Sequence, residues 1–234
     1  MTQTTTLRVM PREMRMMSER ILSLTALPKG FALMITDVVM YSQAMGLGGF
    51  PLLETRLPDL LSADPAALSL TGAVGAEMTL NAGGQHGWIV VPSVLDLLEL
   101  ALKDHDGARI EVKGAMDPAE LAIAEGLGLR RGLEIRLTGT VLSARMGTPA
   151  DPVLDRVLAD GTRIEAAQWW RIYELAQTAL TPDSIVSRRH AGVNIVAEDG
   201  TIIGRTDNDD DTDPNFINSV GLKSAGAQTK EATQ

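Results

Sequence analysis

One stretch near the C-terminus, residues 187–215, holds most of the side chains in this chain that are suited to chemistry. A basic cluster begins it: Ser187, Arg188, Arg189 and His190. Aspartates follow at its far end, with Asp207 and Asp209 first among them. An arginine fork holds a carboxylate through paired hydrogen bonds, and histidine exchanges protons near neutral pH. These residue types indicate a site for a small carboxylate- or amide-bearing molecule.

A predicted β-hairpin joins the two ends of this stretch. Apolar runs at 193–197 and 201–204 flank Glu198-Asp199-Gly200, and Asp-Gly between two such runs is a strong hairpin signal. Because the strands of a hairpin run antiparallel, its two ends lie together. We therefore expect the cluster around His190 to lie beside Asp207 and Asp209.

Three interpretations of these residues stay open. In the first, Arg188 and Arg189 anchor a substrate, His190 acts as acid and base, and Asp207 and Asp209 orient it. In the second, alternate aspartates bind calcium or magnesium, although the glycine and the closing glutamate of a calcium loop are missing. In the third, arginine–aspartate pairs only clamp the hairpin, since structural ion pairs are commoner than catalytic ones. The prediction adopts the first interpretation, assigns no metal and leaves any cofactor unknown.

The composition limits the classes of partner. The chain has a net charge of −9, and five of these charges come from the aspartates at 207–213. The rest is mildly acidic, which argues against a nucleic-acid partner and against an anionic membrane surface. No cysteine is present, so disulfides and zinc–thiolate sites are excluded.

The sequence predicts neither a targeting segment nor a membrane-spanning segment. The N-terminal residues lack the apolar core of a secretory signal. No apolar run approaches the roughly 20 residues that a membrane span needs. We therefore expect a cytoplasmic protein that handles a small molecule.

Hydrophobic periodicity predicts an α/β fold, with α+β as the open alternative. The prediction is a mixed sheet with packed helices, a helical N-terminal portion over residues 8–62 and the C-terminal hairpin. Helices are predicted from Met10, at 31–45, 52–61, from Ser93, at 117–129 and at 166–180. Strands are predicted at 78–80, 88–91, 109–113, 133–144 and 162–164. A single domain is expected over 1–218, with frayed residues 1–7 and a disordered tail at 219–234.

Two helices are candidates for contacts between subunits. Residues 31–45 are apolar nearly all round, which is typical of a buried or shared helix. The helix that carries Trp169 and Trp170 presents an apolar face. We expect a homo-oligomer, or a subunit of a metabolic enzyme complex.

Two single residues within the body of the chain invite a functional interpretation. Asp37 is either a buried acid or an acid on the polar edge of its helix with Ser42 near by, and the second is commoner. His86 is either a base on a flexible loop or an ordinary loop residue. The glycines around His86 precede a predicted strand, which is the wrong order for a phosphate loop.

The C-terminal pattern resembles an uncharacterised bacterial protein family of about this length. Its elements here are Trp169-Trp170, Thr181-Pro182-Asp183-Ser184, Ser187-Arg188, Ala191-Gly192 and Asp207-Asn208-Asp209. The hairpin is inserted between the last two elements. This resemblance implies no reaction, but it groups Ser187 and Arg188 with Asp207–Asp209.

The middle third, Gly87–Leu129, is faintly similar to the malate/lactate dehydrogenase family that is not of the Rossmann type. No pattern in the chain carries a nicotinamide site across. The prediction is therefore an enzyme, or enzyme subunit, that acts on a small carboxylate- or amide-bearing metabolite. A non-catalytic accessory subunit and an NAD(P)-dependent oxidoreductase-like protein are the alternatives.

Overall fold

The computed structural model describes residues 5–180 and two short strands, 195–196 and 202–203. The chain divides after Leu180 into two units. The predicted extent of a single domain over 1–218 stays a prediction.

Eight α-helices and nine strands make up the described residues. The helices are α1 (Pro11–Leu22), α2 (Lys29–Ala44), α3 (Gly49–Thr55), α4 (Leu57–Leu61), α5 (Gly87–Ala101), α6 (Ile123–Arg130), α7 (Pro152–Asp160) and α8 (Ala166–Gln177). The strands are β1 (Thr6–Val9), β2 (Ser69–Val74), β3 (Glu77–Asn81), β4 (Ala108–Lys113), β5 (Leu133–Thr138), β6 (Val141–Met146), β7 (Thr162–Glu165), β8 (Ile195–Val196) and β9 (Ile202–Ile203). The predicted α/β class is confirmed.

Helix α2 is the centre of the helical layer. It contacts α1, α3, α5, α6 and α7, and it buries Ile35, Val39 and Tyr41 completely. The apolar circumference of this helix is thus explained by its position inside one chain, while a role in subunit contact stays a prediction. The polar residues of α2 must find partners within this packing, because a buried polar group without a hydrogen bond is costly.

Five strands form a mixed sheet in the order β2-β3-β4-β6-β5. Strands β3 and β4 are parallel and are connected through α5, and the other pairs are antiparallel. In β4 the buried residues Ala108, Ile110 and Val112 alternate with exposed Arg109 and Lys113. One face of the sheet therefore packs against helices α5 and α6, and the other face is polar.

A second, two-stranded sheet joins β1 to β7. Thr6 and Leu7 were expected to be frayed, and this expectation is wrong. Leu7 pairs with Ile164, and Val9 is buried. A strand of four residues is too short for its own pattern to reveal a partner more than 150 residues away.

The predicted strand at 88–91 is wrong, because these residues form the first turns of α5. The run Trp88-Ile89-Val90-Val91 is fully buried, and a short apolar run gives no period that separates a buried strand from a buried helix. The helix was predicted from Ser93, whereas Pro92 is already its sixth residue. The N-cap residue is His86, whose ring accepts a hydrogen bond from the Trp88 amide.

Other boundaries also differ from the prediction, among them that of the helix predicted at 52–61, which is divided into α3 and α4. The long strand predicted over 133–144 is a hairpin, β5 and β6, that turns at Gly139, where φ is +62°. The helix predicted from 117 begins as a 3₁₀ turn, Pro118–Ala122, before α6. No helix in the described part of the chain is long and apolar enough to cross a membrane.

Candidate functional site

The predicted site residues lie outside the described residues: Ser187, Arg188, Arg189, His190, Asp207 and Asp209. The hairpin between them is confirmed, because Ile195 pairs with Ile203 and Val196 with Ile202 in an antiparallel ladder. Whether the basic and acidic clusters meet stays a prediction. The candidate functional groups that the structure describes lie in residues 5–180.

A buried carboxylate, Glu120, has both of its oxygens hydrogen-bonded within this unit. It accepts hydrogen bonds from Ser42 Oγ at 2.6 Å, from Gly48 N at 2.7 Å and from Trp88 Nε1 at 2.7 Å. These four residues, the Glu120 cluster, connect α2, the start of α3, α5 and the 3₁₀ turn. Only 3% of the Glu120 surface is exposed. A carboxylate with three donors and no solvent access binds the fold together and is closed to a substrate.

His86 lies beside the Glu120 cluster and is also buried. Its Nδ1 accepts from the Trp88 amide at 3.1 Å, which caps α5. A neutral imidazole that accepts at Nδ1 carries its proton on Nε2. Nε2 lies 3.3 Å from Asp117 Oδ2, in a geometry that falls short of a hydrogen bond. His86 is therefore a helix cap with an electrostatic partner, and the interpretation as a mobile catalytic base is not supported by its 1% side-chain exposure.

Asp117 is held in a strained conformation. It has φ of +49°, and it is the only non-glycine residue between 5 and 180 with a positive φ. Its side chain makes no cap hydrogen bond to the 3₁₀ turn that follows. Its carboxylate instead accepts from Arg56 Nε at 2.7 Å and Nη2 at 3.3 Å. Aspartate tolerates this backbone region better than most residues, and the arginine fork explains why the strain is retained.

The environment of His86 lowers its pKa below the ordinary value of 6.5. Burial is the main cause, because it penalises the charged ring. The neighbouring carboxylates Asp117 and Glu120 act in the opposite direction, and Arg56 adds to the lowering. The effect of burial on the pKa is the largest. The folded protein therefore keeps His86 neutral in a pH range where the unfolded chain already binds a proton.

Stability is expected to fall as the pH drops below about 6.5, because the unfolded state then gains a proton that the folded state refuses. Above this pH the effect vanishes, since His86 is neutral in both states. Urea unfolding at a series of pH values measures the slope. The variant His86→Asn keeps a side-chain acceptor for the helix cap and should show a smaller slope. An equal slope in both proteins would contradict the assignment to His86.

The glycine-rich loop between β3 and α5 corrects a second expectation. Since 88–91 is helical, the order is strand, glycine loop, helix, which is the order of a phosphate loop. The amides at the start of α5 are nevertheless occupied. Gly87 N donates to Met116 O, Trp88 N to the His86 ring and Ile89 N to His86 O. This helix start thus offers no free cradle for a phosphate.

A second polar group, the Asp37 cluster, joins α1, α2, α6 and α7. Asp37 accepts from Arg15 Nε at 2.5 Å and from Arg130 Nη1 at 3.0 Å. Arg130 Nε also lies 4.0 Å from Asp151 Oδ2. Asp37 therefore stands on a polar edge of its helix, as expected. Its predicted neighbour Ser42 is instead buried in the Glu120 cluster.

Tyr41 and Asp151 form a hydrogen-bonded pair beside Arg130. The Tyr41 hydroxyl donates to Asp151 Oδ2 at 2.5 Å, while Asp151 Oδ1 accepts from Leu154 N and caps α7. Burial and the adjacent carboxylate raise the pKa of Tyr41 well above its ordinary value. Asp37 raises the pKa of Arg130 through their hydrogen bond. Arg130 is thus a permanent cation held between two carboxylates.

A cavity of about 360 Å³ opens beside the Asp37 cluster. Its lining comes from α2, α5 and the end of α6: Met34, Asp37, Val38, Pro92, Leu95, Leu127, Arg130 and Arg131. Five of these eight side chains are apolar. The volume lies at the lower end of the range for small-molecule sites. A lining that combines apolar side chains with charged ones is the arrangement expected of a site for a small amphiphilic molecule.

Both arginines of this cavity have guanidinium N–H groups that donate to no other residue of the described part of the chain. Arg130 uses Nη1 for Asp37, and Arg131 uses Nη1 for Asp96 at 2.6 Å and Glu99 at 3.4 Å. Neither Nη2 donates to another residue of the described part of the chain. A guanidinium offers five N–H donors, so each arginine has capacity for a ligand oxygen.

The sequence pattern indicated Asp37 as a candidate residue of this site but did not indicate Arg130 and Arg131. Asp37 stood out because it is the single acid in an apolar helix. Arg130-Arg131 ends a helix, where arginines commonly offset the helix dipole, and so attracted no attention. Metal binding has no support between residues 5 and 180, where no group of three or more histidine, aspartate or glutamate side chains is placed to hold an ion.

No family model and no curated protein matches the chain. The resemblance to the uncharacterised bacterial family therefore stays a prediction.

Several solved structures are similar over part of the chain. A sulfolactate dehydrogenase from Methanocaldococcus jannaschii matches 54% of this chain and 38% of its own length, with 13% identity and a TM-score of 0.40. A malate dehydrogenase from Entamoeba histolytica matches 56% and 38%, with 12% identity and a TM-score of 0.42. A malate dehydrogenase from Pyrococcus horikoshii matches 74% and 65%, with 10% identity and a TM-score of 0.44.

The chain thus spans less than two thirds of the length of these proteins. Their names agree with the faint dehydrogenase resemblance of residues 87–129. Identities this low and TM-scores below 0.5 carry no argument about function.

Proposed function

We propose that this chain is an enzyme, or a subunit of one, that binds a small carboxylate- or amide-bearing metabolite in the cavity beside Asp37. One observation carries the proposal: Arg130 and Arg131 present unused guanidinium donors at the edge of an apolar pocket. Charge-assisted hydrogen bonds from arginine to a carboxylate are among the strongest that a protein makes.

Two effects oppose an anion here, and the helix dipole is the one whose size can be compared with the direct contact. Three arginines face four carboxylates: Arg15, Arg130 and Arg131 against Asp37, Asp96, Glu99 and Asp151. The C-terminus of α6 adds the negative end of a helix dipole, which costs about 0.3–1 kcal/mol. A hydrogen bond to a charged group contributes about 1.5–3 kcal/mol. Anion binding should weaken with added salt because the side chains of Arg130 and Arg131 are 48% and 36% exposed.

The lining of the cavity provides groups that can bind a ligand but few groups that are suited to catalysis. Its one carboxylate, Asp37, has both oxygens hydrogen-bonded to arginines, which gives it a structural role. The hypothesis from the sequence that His190 acts as acid and base, oriented by Asp207 and Asp209, stays a separate prediction.

The variant Arg130→Gln is expected to weaken ligand binding about 10–100-fold, which corresponds to the loss of one charge-assisted hydrogen bond. Calorimetric titration with a panel of small carboxylates, amides and nicotinamide cofactors measures this. The matched control is Arg109→Gln. Arg109 is 49% exposed and pairs with Glu77, whereas Arg130 is 48% exposed and pairs with Asp37. The control should bind like the original protein.

The variant His190→Ala separates the two predicted sites. If the cavity is the binding site, this variant binds with unchanged affinity. If affinity falls in His190→Ala and not in Arg130→Gln, the ligand binds at the C-terminal cluster and the cavity proposal is wrong. Binding of nicotinamide cofactors alone would favour the oxidoreductase-like alternative. Binding that is unaccompanied by turnover in the complete protein would favour the accessory subunit.

A further inference from the structure

We infer that strand β2 is a docking edge for a second copy of this chain, and that the two β2 strands pair antiparallel about a two-fold axis. Strand β2 forms one edge of the five-stranded sheet, and no other strand of the described residues pairs with its outer side. The inference is independent of the proposed function, since β2 contributes no residue to the cavity beside Asp37.

The two edges of this sheet differ in their protection. At the opposite edge, β5 contacts α6, and the Leu137 amide donates to Glu125 Oε1 at 2.7 Å. This strand also carries the charged residues Glu134 and Arg136. A covering helix and charged side chains keep an edge strand from pairing with another chain. Strand β5 is protected in both ways, so β2 is the edge at which the sheet can be extended.

Strand β2 has neither of these two protections. All six of its residues are exposed, and Leu70 and Val74 are 47% and 82% exposed. The sequence has no charged residue between Asp64 and Glu77. A bulge at Thr71 is the one irregularity of the strand. An exposed, uncharged and partly apolar edge is the kind that takes up a strand from another chain.

The charge of the chain favours a second copy as the occupant of this edge. Each copy carries a net charge of −9, so two copies repel each other where their acidic surfaces meet. An uncharged strand is the part of the sheet at which two copies can approach with the lowest electrostatic cost. A basic partner would gain more from the acidic surface and would gain no charge pairing from β2.

The side chains of β2 are also self-complementary. Leu70 and Ala73 pair with buried residues of β3, so both lie on the core face of the sheet. A two-fold interface must place one residue opposite a second and the second opposite the first. A two-fold axis between Thr71 and Gly72 places Leu70 opposite Ala73 of the second copy. The larger side chain thus meets the smaller one twice, on the same face.

The bulge makes this match possible. In a regular strand, residues three positions apart point to opposite faces. Thr71 has no partner on β3, and this extra residue brings Leu70 and Ala73 to the same face. In the proposed pair Thr71 lies opposite Gly72 of the second copy, which has no side chain to obstruct it. The two sheets then form one continuous sheet, and Leu70 is covered by the second copy.

Cross-linking tests this register, because the chain contains no cysteine of its own. The variants Leu70→Cys and Ala73→Cys are purified in reduced form, mixed and oxidised in air. Opposite residues of an antiparallel pair have Cβ atoms about 4.5–5.5 Å apart, close to the span of a disulfide. On a non-reducing gel we expect a covalent dimer in the mixture and almost none in either variant alone.

The variant Ala73→Lys tests the edge itself. It adds a lysine at an exposed position of the strand, and lysine on an edge strand opposes pairing. Sedimentation equilibrium of the complete chain should show a dimer whose Kd rises about tenfold or more in this variant. The matched control is Thr138→Lys, which adds the same charge at an exposed position of β5. It should leave the Kd unchanged, and circular dichroism should show that both variants are folded.

Each of the other outcomes overturns the inference. A chain that is monomeric at every concentration has no such interface. A dimer that Ala73→Lys leaves intact is formed through another surface, and a loss that Thr138→Lys reproduces is an effect of overall charge. Cross-linking of the single variants that equals that of the mixture would show that Leu70 does not face Ala73 of the second copy.

Discussion

Replacing Glu120 with alanine is expected to lower the free energy of unfolding by about 3–5 kcal/mol, one of the largest effects of any polar substitution in this protein. Three donors lose their acceptor at once: Ser42 Oγ, Gly48 N and Trp88 Nε1. Ser42 and Trp88 are fully buried, so water does not readily replace the carboxylate. The truncation also leaves a cavity between α2, α5 and the 3₁₀ turn, which adds to the loss.

Urea unfolding followed by tryptophan fluorescence measures this effect. The control is Glu77→Ala, which removes a carboxylate that is 63% exposed and pairs with Arg109; its effect should stay within about 0.5 kcal/mol. The variant Glu120→Gln keeps the volume but turns one acceptor into a donor, and it should lie between the two. A loss below about 1 kcal/mol for Glu120→Ala would show that the three donors find other partners.

Local signals in the sequence were enough for most elements. The alternation in Arg109–Lys113 and the apolar stripe of Met14, Met17 and Ile21 correspond to a strand and a helix with the expected faces buried. These patterns work because one side of each element faces the core. The helix over 87–101 was divided wrongly, because burial on all sides erases the period that distinguishes a helix from a strand.

The functional groups of the described residues depend on contacts that no local pattern encodes. Glu120 accepts hydrogen bonds from Ser42 and Gly48, which lie more than 70 residues earlier in the chain. Arg130 acquires its place from Asp37, at a separation of 93 residues. Such pairs follow from how α2 packs against its neighbours. The sequence identified Asp37 as unusual, but only the packing shows that it holds an arginine at a cavity.

The C-terminal candidate illustrates the opposite case. Its hairpin was predicted from Asp199-Gly200 and its flanking apolar runs, and the ladder between Ile195 and Ile203 confirms it. A hairpin between two neighbouring apolar runs is a local feature, so the sequence suffices for it. The meeting of His190 with Asp207 is a further step that depends on the conformation beyond the ladder, and it stays a prediction.

The substitution Gly49→Ala is expected to destabilise the fold by about 3 kcal/mol or more, because two independent costs combine. Gly49 has φ of +48°, a backbone region that penalises any side chain. An added Cβ would also lie 2.8 Å from the Gln43 Cα, which is backbone of α2 and cannot turn aside as a side chain does. The clash falls where the Gly49 amide donates to Ser42 Oγ and the Phe50 amide to Gln43 Oε1.

A second glycine isolates the steric part of this cost. Gly46 has φ of +75°, and a Cβ built on it meets nothing within 4 Å. The variant Gly46→Ala therefore carries the backbone penalty alone, about 1–2 kcal/mol. Urea unfolding of both variants should place Gly49→Ala below Gly46→Ala by at least the cost of the clash, about 1–3 kcal/mol. Because the Gly49 amide bonds to Ser42, which itself donates to Glu120, the Gly49 and Glu120 substitutions should also combine non-additively. Equal losses for the two glycine variants would show that α3 moves away from α2 and accommodates the methyl group.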